Sequence, residues 1–291
     1  MNHHESLPPA RWQESIPDGR ARCLLCPNHC VLKPGETSRC LSRVHADGML
    51  RIRNYGKVTS IALDPVEKKP LCAFHPGRRI LSAGTFGCNL CCPFCQNWRI
   101  SQEEAAWRDV PPEQLVHLAA EMKEDGNIGI AFTYNEPTIW YEYVLDTAQI
   151  AQEADLAIVL VTNGYINPEP LAALLPYVDA MNIDLKAFHP GFYRDVCKGR
   201  LEPVLETIQA AHAACHIELT TLVIPGLNDA EEEIDALARW VAALSPRIPL
   251  HLSRHHPDWK MREPGPIEVE RLYRLSDIAR RHLETVRVGN V

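Results

Sequence analysis

The stretch "AGTFGCNLCCPFCQNWRIS", residues 83–101, sets four cysteines, Cys88, Cys91, Cys92 and Cys95, within eight positions. It follows directly on "RRILSAGT" (78–85), a run that reads as a β-strand. Further β-rich runs recur at 128–134, 156–162, 179–185, 217–224, 248–253 and 285–288. Helical spacing fills the intervals near 111–125, 138–154, 168–176, 202–214, 229–244 and 267–284, as in Leu115, Leu118, Ala119 and Met122. Strand then helix, many times over, predicts an α/β fold with a parallel sheet and its helices outside. The thiol-rich loop, "YNEPT", "TNGY", "DLKAF" and "IPGLND" all fall just after strands. That is the end at which parallel sheets and barrels bind ligands.

The bulk composition narrows the chemistry. With 291 residues, 46% of them hydrophobic and 23% charged, the chain is long enough for one large domain with an appendage. A net charge of -7 gives no basic footprint for nucleic acid. No stretch approaches the roughly 18 consecutive apolar residues of a membrane span. The opening "MNHHESLPPARWQES" lacks the apolar run of a secretory signal, so the expected location is cytoplasmic. Eleven cysteines in such a compartment are poor disulfide candidates, and their clustering points to metal.

Two clusters need explaining. In the loop, four thiols on one segment do not resemble the paired, distant ligands of structural zinc. A 4Fe-4S cluster takes four cysteines, but Cys91 and Cys92 are adjacent and awkward on one cube. Three ligands leave one iron open, which is a place for substrate. The second cluster, Cys23, Cys26, Cys30 and Cys40, is a set of soft ligands with no open position, which suggests a closed site, zinc ahead of an auxiliary iron-sulfur cluster. Cys72, Cys197 and Cys215 stand apart and read as small buried hydrophobes.

Cys88-Asn89-Leu90-Cys91-Cys92-Pro93-Phe94-Cys95 resembles the Cys-x3-Cys-x2-Cys signature of the radical S-adenosylmethionine superfamily. Spacing alone admits a register with Cys91 in place of Cys92; Phe94 and the Asn-Leu pair favour Cys88, Cys92 and Cys95. The resemblance implies a partial (βα)6 TIM-like barrel with the cluster loop after its first strand. It also implies a 4Fe-4S cluster whose open iron is chelated by S-adenosylmethionine, cleaved to a 5′-deoxyadenosyl radical that abstracts hydrogen. Phe94, Asn135, Glu136, Thr162, Asn163, Asp184 and Lys186 then become the residues expected around that cofactor. Glu136 reads either as the partner of its ammonium or as an acid at a helix N-terminus before Pro137 and Thr138. Asn135 replaces a family glycine, and asparagine tolerates the left-handed backbone.

The order of the Cys-rich segment, "YGKVTSIALDPVEKKPL" (55–71), "FHPG" (74–77) and the radical loop resembles the radical enzymes of the AmmeMemoRadiSam system, which are pyruvate formate-lyase activating enzyme-like. That resemblance implies AMMECR-type and MEMO-type partners, a reductant such as flavodoxin or ferredoxin, and hydrogen abstraction from a protein glycyl site or from an unknown peptide or small molecule. The expected organisation is a tail over 1–20, a Cys-rich segment with connecting strands over 21–77, and a radical core over 78–291. "HLSRHHPDWKM" (251–261) is expected at the open mouth, with Arg254 and His255 as substrate candidates. The other reading of the chain is a non-catalytic protein that holds zinc at both cysteine groups and docks partners.

Overall fold

The computed structural model describes residues 7–291. Of the tail expected over 1–20, residues 1–6 lie outside that range; the remainder belongs to the fold. Strands β1 (Gln13–Ile16), β2 (Arg20–Cys23) and β3 (Val31–Leu32) form an antiparallel sheet, and β4 (Arg43–Ala46) pairs with β5 (Met49–Ile52). This N-terminal layer is locked on the barrel by a buried ion pair. Arg43 Nη2 donates to both oxygens of the Glu142 carboxylate, at 2.8 Å for the shorter contact, with side chains 1% and 4% exposed.

β6 (Lys57–Val58) pairs with β9 (Arg108–Asp109), and the main sheet begins with β7 (Ser60–Pro65) and β8 (Arg79–Gly84). It continues through β10 (Asn127–Phe132), β11 (Ala157–Thr162), β12 (Ala180–Asp184), β13 (His216–Val223), β14 (Leu250–Arg254) and β15 (Val286–Gly289). The order is β15-β14-β13-β12-β11-β10-β8-β7, parallel except for β7, which runs antiparallel along β8. The predicted partial parallel barrel is therefore observed, with its edges at β7 and β15. The edge strand β7 comes from the region read as connecting strands, and it joins the sheet because its backbone donors and acceptors need a ladder.

Helices α1 (Trp98–Ser101), α2 (Pro112–Glu121), α3 (Tyr141–Glu153), α4 (Pro168–Leu174), α5 (Pro190–Phe192), α6 (Glu202–His212), α7 (Glu231–Leu244) and α8 (Val269–Ala279) occupy the crossovers. α2, α3, α4, α6, α7 and α8 match the six predicted helical runs, with ends trimmed. Prolines at the first turns of α2, α4 and α6 set where those helices begin, since proline there lacks only a donor that would go unused. Alternation along the strands separates two faces. Leu81, Ile130, Phe132, Leu160, Ile183, Leu219 and Leu250 are buried in the large core that includes the helices, while Ile80, Ala131, Val159 and Ala180 form a small inner cluster with Val66 and Leu71. Residues 66–74 thus plug the floor of the barrel. No helix among the described residues is long and apolar enough to cross a membrane.

Gly87 brings the two cysteine-bearing segments together. It sits at φ +97, and a β-carbon there would overlap the Cys40 carbonyl oxygen. Gly87→Ala is expected to lower stability by about 1–3 kcal/mol from backbone strain alone, with further loss from the overlap. Thermal melts check it, and an unchanged melting temperature would show that the two loops can separate freely.

Candidate active site

A cavity of about 280 Å³ opens at the carboxyl ends of the strands. Cys88, Cys92 and Cys95 line it, and Cys91 does not. Adjacent residues on an extended loop point to opposite sides, and Cys91 accordingly turns outward, where its sulfur accepts from Arg39 Nε at 3.2 Å. The Cys88 sulfur accepts from the Leu90 backbone N–H at 3.4 Å and faces Asn163 Nδ2 at 3.6 Å, while Cys95 meets the Ser101 hydroxyl at 3.1 Å. Burial pushes the Cys88 and Cys95 thiols up. Contact with the Cys197 thiol, then burial, does the same for Cys92. Protonated thiols of this kind give up their protons to a metal. Three convergent sulfur donors are the set that an iron-sulfur cluster with one uncoordinated iron takes.

Glu136 stands at the end of β10 and is 2% exposed. Its Oε1 accepts from Thr138 N at 3.0 Å, Thr138 Oγ1 at 2.8 Å and Thr162 Oγ1 at 2.6 Å, and its Oε2 accepts from Asn163 N at 2.8 Å. Burial raises its pKa against these bonds. The helix-cap reading of Glu136 is therefore realised, and Oε2 has a single partner, the Asn163 N–H. Asn163 also donates to Asn89 Oδ1 at 2.9 Å and accepts from Tyr165 N at 2.9 Å, which fixes the Thr-Asn-Gly turn against the cysteine loop.

Asn135 differs from expectation. The left-handed residue is Tyr134, at φ 72. Asn135 instead clamps the cysteine loop with its side chain, accepting from Thr85 N at 3.0 Å and donating to Gly87 O at 2.9 Å. A glycine could make neither bond. Tyr134 donates its hydroxyl to Asp64 of β7 at 2.8 Å, and Lys69, 3% exposed, pairs with the same carboxylate at 2.9 Å. Burial alone would push Asp64 up, but these bonds hold it down at about 2. A depressed carboxylate stabilises the fold at pH above its ordinary value near 3.8, and the contribution is lost as pH falls toward 2. Asp64→Asn should therefore flatten the acid limb of a stability profile between about pH 4 and about pH 2. Urea midpoints across that range check it; parallel profiles for the two proteins would contradict it.

On the far wall Lys186 Nζ pairs with Asp184 Oδ2 at 2.7 Å. Burial opposes the ammonium charge, but Asp184 and the neighbouring thiols Cys92 and Cys197 outweigh it and raise the Lys186 pKa. Phe94, 4% exposed, lines the cavity beneath this pair. Of the substrate candidates, Arg254 Nε donates to Ile267 O at 2.7 Å and His255 is fully buried, and neither is among the residues lining the cavity. His251 also departs from the expected open mouth. It lies two residues before Ser253 on the same face of β14, and that step of roughly 6.6 Å carries it to the barrel floor. Asn97, Ser101, Thr220 and Ser253 line the cavity without having been singled out. Ser101 had one available signal, its place in "QNWRIS" just past Cys95.

The N-terminal thiols gather beside this loop. Burial pushes Cys23 up to about 11 and raises Cys26 and Cys30. Asn28 Nδ2 donates to Asn89 O at 2.8 Å, so the two cysteine regions are joined by one asparagine. Of the three scattered cysteines, Cys197 is the small buried residue that was expected, fully enclosed in the core, while Cys215 is partly buried. Cys197 touches Cys92, and Cys72 belongs to a polar group described below.

Residues 83–240 match the family model described as the radical SAM superfamily. The chain belongs to that superfamily. It is 42% identical to the uncharacterized protein MJ0808 of Methanocaldococcus jannaschii over 97% of this chain and 85% of that protein. The isethionate sulfite-lyase activating enzyme of Oleidesulfovibrio alaskensis is 29% identical over 40% of this chain and 38% of its own length. The structure of Streptococcus suis SuiB bound to S-adenosylmethionine superposes with a TM-score of 0.57 at 13% identity, covering 73% of this chain and 52% of that one, which shows a shared fold. This radical SAM chain therefore carries its cysteine loop and cavity at the strand ends that its sequence predicted.

Proposed function

We propose that the chain is an oxidoreductase that binds a 4Fe-4S cluster through Cys88, Cys92 and Cys95 and hydrogen-abstracts from a peptide or protein, as a glycyl-radical-enzyme activating enzyme does. The observation that carries this reading is the convergence of those three thiols on one cavity while Cys91 faces Arg39. When bound, the cluster and S-adenosylmethionine supply one electron and a 5′-deoxyadenosyl radical. Glu136 Oε2 takes the ammonium of S-adenosylmethionine, and the Lys186 ammonium, fixed by Asp184, attracts its carboxylate. Asn163, Thr162 and Asn135 hold these groups in register with the cysteine loop. Phe94 keeps water from the thiols.

The reductant in this reading is a flavodoxin or ferredoxin. Cys23, Cys26, Cys30 and Cys40 hold zinc or an auxiliary iron-sulfur cluster. Similarity to an activating enzyme over part of the chain supports the protein-substrate reading. The order of the Cys-rich segment and the motifs before the radical loop supports placement in the AmmeMemoRadiSam system, with AMMECR-type and MEMO-type partners. The test is anaerobic reconstitution with iron and sulfide, reduction with dithionite, addition of S-adenosylmethionine and measurement of 5′-deoxyadenosine. Its formation is the expected result; its absence in protein that carries the full iron complement would overturn the assignment.

A further inference from the structure

The floor of the barrel carries a second constellation, at the end opposite the cofactor cavity. Glu218 on β13 is fully buried. Its Oε2 accepts from His251 Nε2 at 2.6 Å and from Cys72 N at 2.9 Å, and its Oε1 accepts from Ala73 N at 2.8 Å and faces His216 Nε2 at 3.0 Å. The Cys72 sulfur, a Glu218 oxygen and a His251 ring nitrogen all lie within 4.8 Å of one another, the one such trio among the described residues. Phe74 stacks on His216, with ring centroids 5.6 Å apart.

We propose that Cys72, Glu218 and His251 form a zinc site that pins the plug of residues 66–74 to β13 and β14, separate from the radical chemistry. The donor set is the argument. One thiolate, one imidazole and one carboxylate are the ligand types that zinc combines, at bond lengths of roughly 2.0–2.3 Å, which place tetrahedral ligand atoms roughly 3.3–3.8 Å apart. The sulfur, within 4.8 Å of the other two ligand atoms, is close enough to join such a site, and the short His251–Glu218 contact, 2.6 Å, opens as the ion enters. His216 and the backbone N–H of Ala73 orient the carboxylate from its other oxygen, the outer support that metal ligands use. On binding, Cys72 releases its thiol proton to solvent, and the proton that His251 Nε2 donates to Glu218 leaves that nitrogen, the neutral ring then carrying its proton on Nδ1. Burial and Glu218 hold the thiol proton on in the free protein, and the guanidinium of Arg287 beside the thiol works the other way. His216 has a 30% exposed side chain and Cys72 is partly exposed, so an ion can enter from the floor without crossing the cofactor cavity.

The test uses the iron-sulfide-reconstituted full chain, stripped of loosely held metal and dialysed against zinc. Wild type should retain one zinc per chain more than Cys72→Ser/His251→Gln, whatever the N-terminal cysteines hold. His216→Gln should keep the stoichiometry, because it acts on the carboxylate rather than on the ion. Crystals of the wild-type chain soaked in zinc should give anomalous density at the zinc edge between Cys72 Sγ and Glu218. Equal zinc in wild type and a folded double variant overturns the site, as does the lack of density there in wild type. The diffraction measurement decides the matter even if the double variant does not fold.

Discussion

Cys92→Ala is expected to bring 5′-deoxyadenosine formation to background, while Cys91→Ala retains most of it. The two residues are adjacent and chemically identical, so composition and local sequence cannot separate their effects. Their surroundings can. Cys92 lines the cavity with Cys88 and Cys95, in contact with Cys197 and within the field of Lys186. Cys91 points away, to Arg39 Nε at 3.2 Å. Loss of an outer-shell partner typically costs metal sites about 10–100-fold, so loss of a direct ligand should exceed that range, and Cys91→Ala should stay below it. Iron content and deoxyadenosine yield are to be measured together on both variants. A dead Cys91→Ala and an active Cys92→Ala would mean that the loop binds its cluster in the other register.

The second large effect concerns stability. Arg43→Ala should destabilise the chain by about 3–5 kcal/mol, because it leaves the Glu142 carboxylate buried without its partner. Arg43 is 1% exposed and bonds to Glu142, the Ile139 carbonyl at 3.4 Å and Ser42 Oγ at 2.6 Å. Burial works against its charge, yet Glu142 and the thiols of Cys23 and Cys40 raise its pKa. Release of this pair should therefore loosen the N-terminal cysteine group as well. Arg11→Ala is the control, since Arg11 makes its side-chain pair with Asp146 at 3.1 Å with 53% of the side chain exposed. Surface pairs of that kind contribute roughly 0–1 kcal/mol. Urea midpoints for the two variants give the comparison, and equal midpoints would mean that the buried pair does not hold the N-terminal layer in place.

By itself, the sequence determined the parallel α/β scaffold, since the alternation of two hydrophobic periods is a local property that survives without knowledge of contacts. Position after the strands marked the cysteine loop and the strand-end segments, which share one face of the fold, and the resemblance of the cysteine loop to the radical SAM signature singled out Glu136, Thr162, Asn163, Asp184 and Lys186 among them. What only the tertiary structure decided were relations between segments distant in the chain. Asn135 was read as a substitute for a flexible glycine, but its role depends on Thr85 and Gly87, about 50 residues earlier. The edge strand β7 pairs with β8 across a plug whose purpose no local pattern states. Cys72 looked like an isolated thiol because Glu218 and His251 stand 146 and 179 positions away in sequence, and only the parallel registers of β12 with β13 and β13 with β14 place those side chains over the same floor. Periodicity reports which face a side chain takes; the depth at which it sits, and what it meets there, is set by strand register and by the chain that closes the barrel from below.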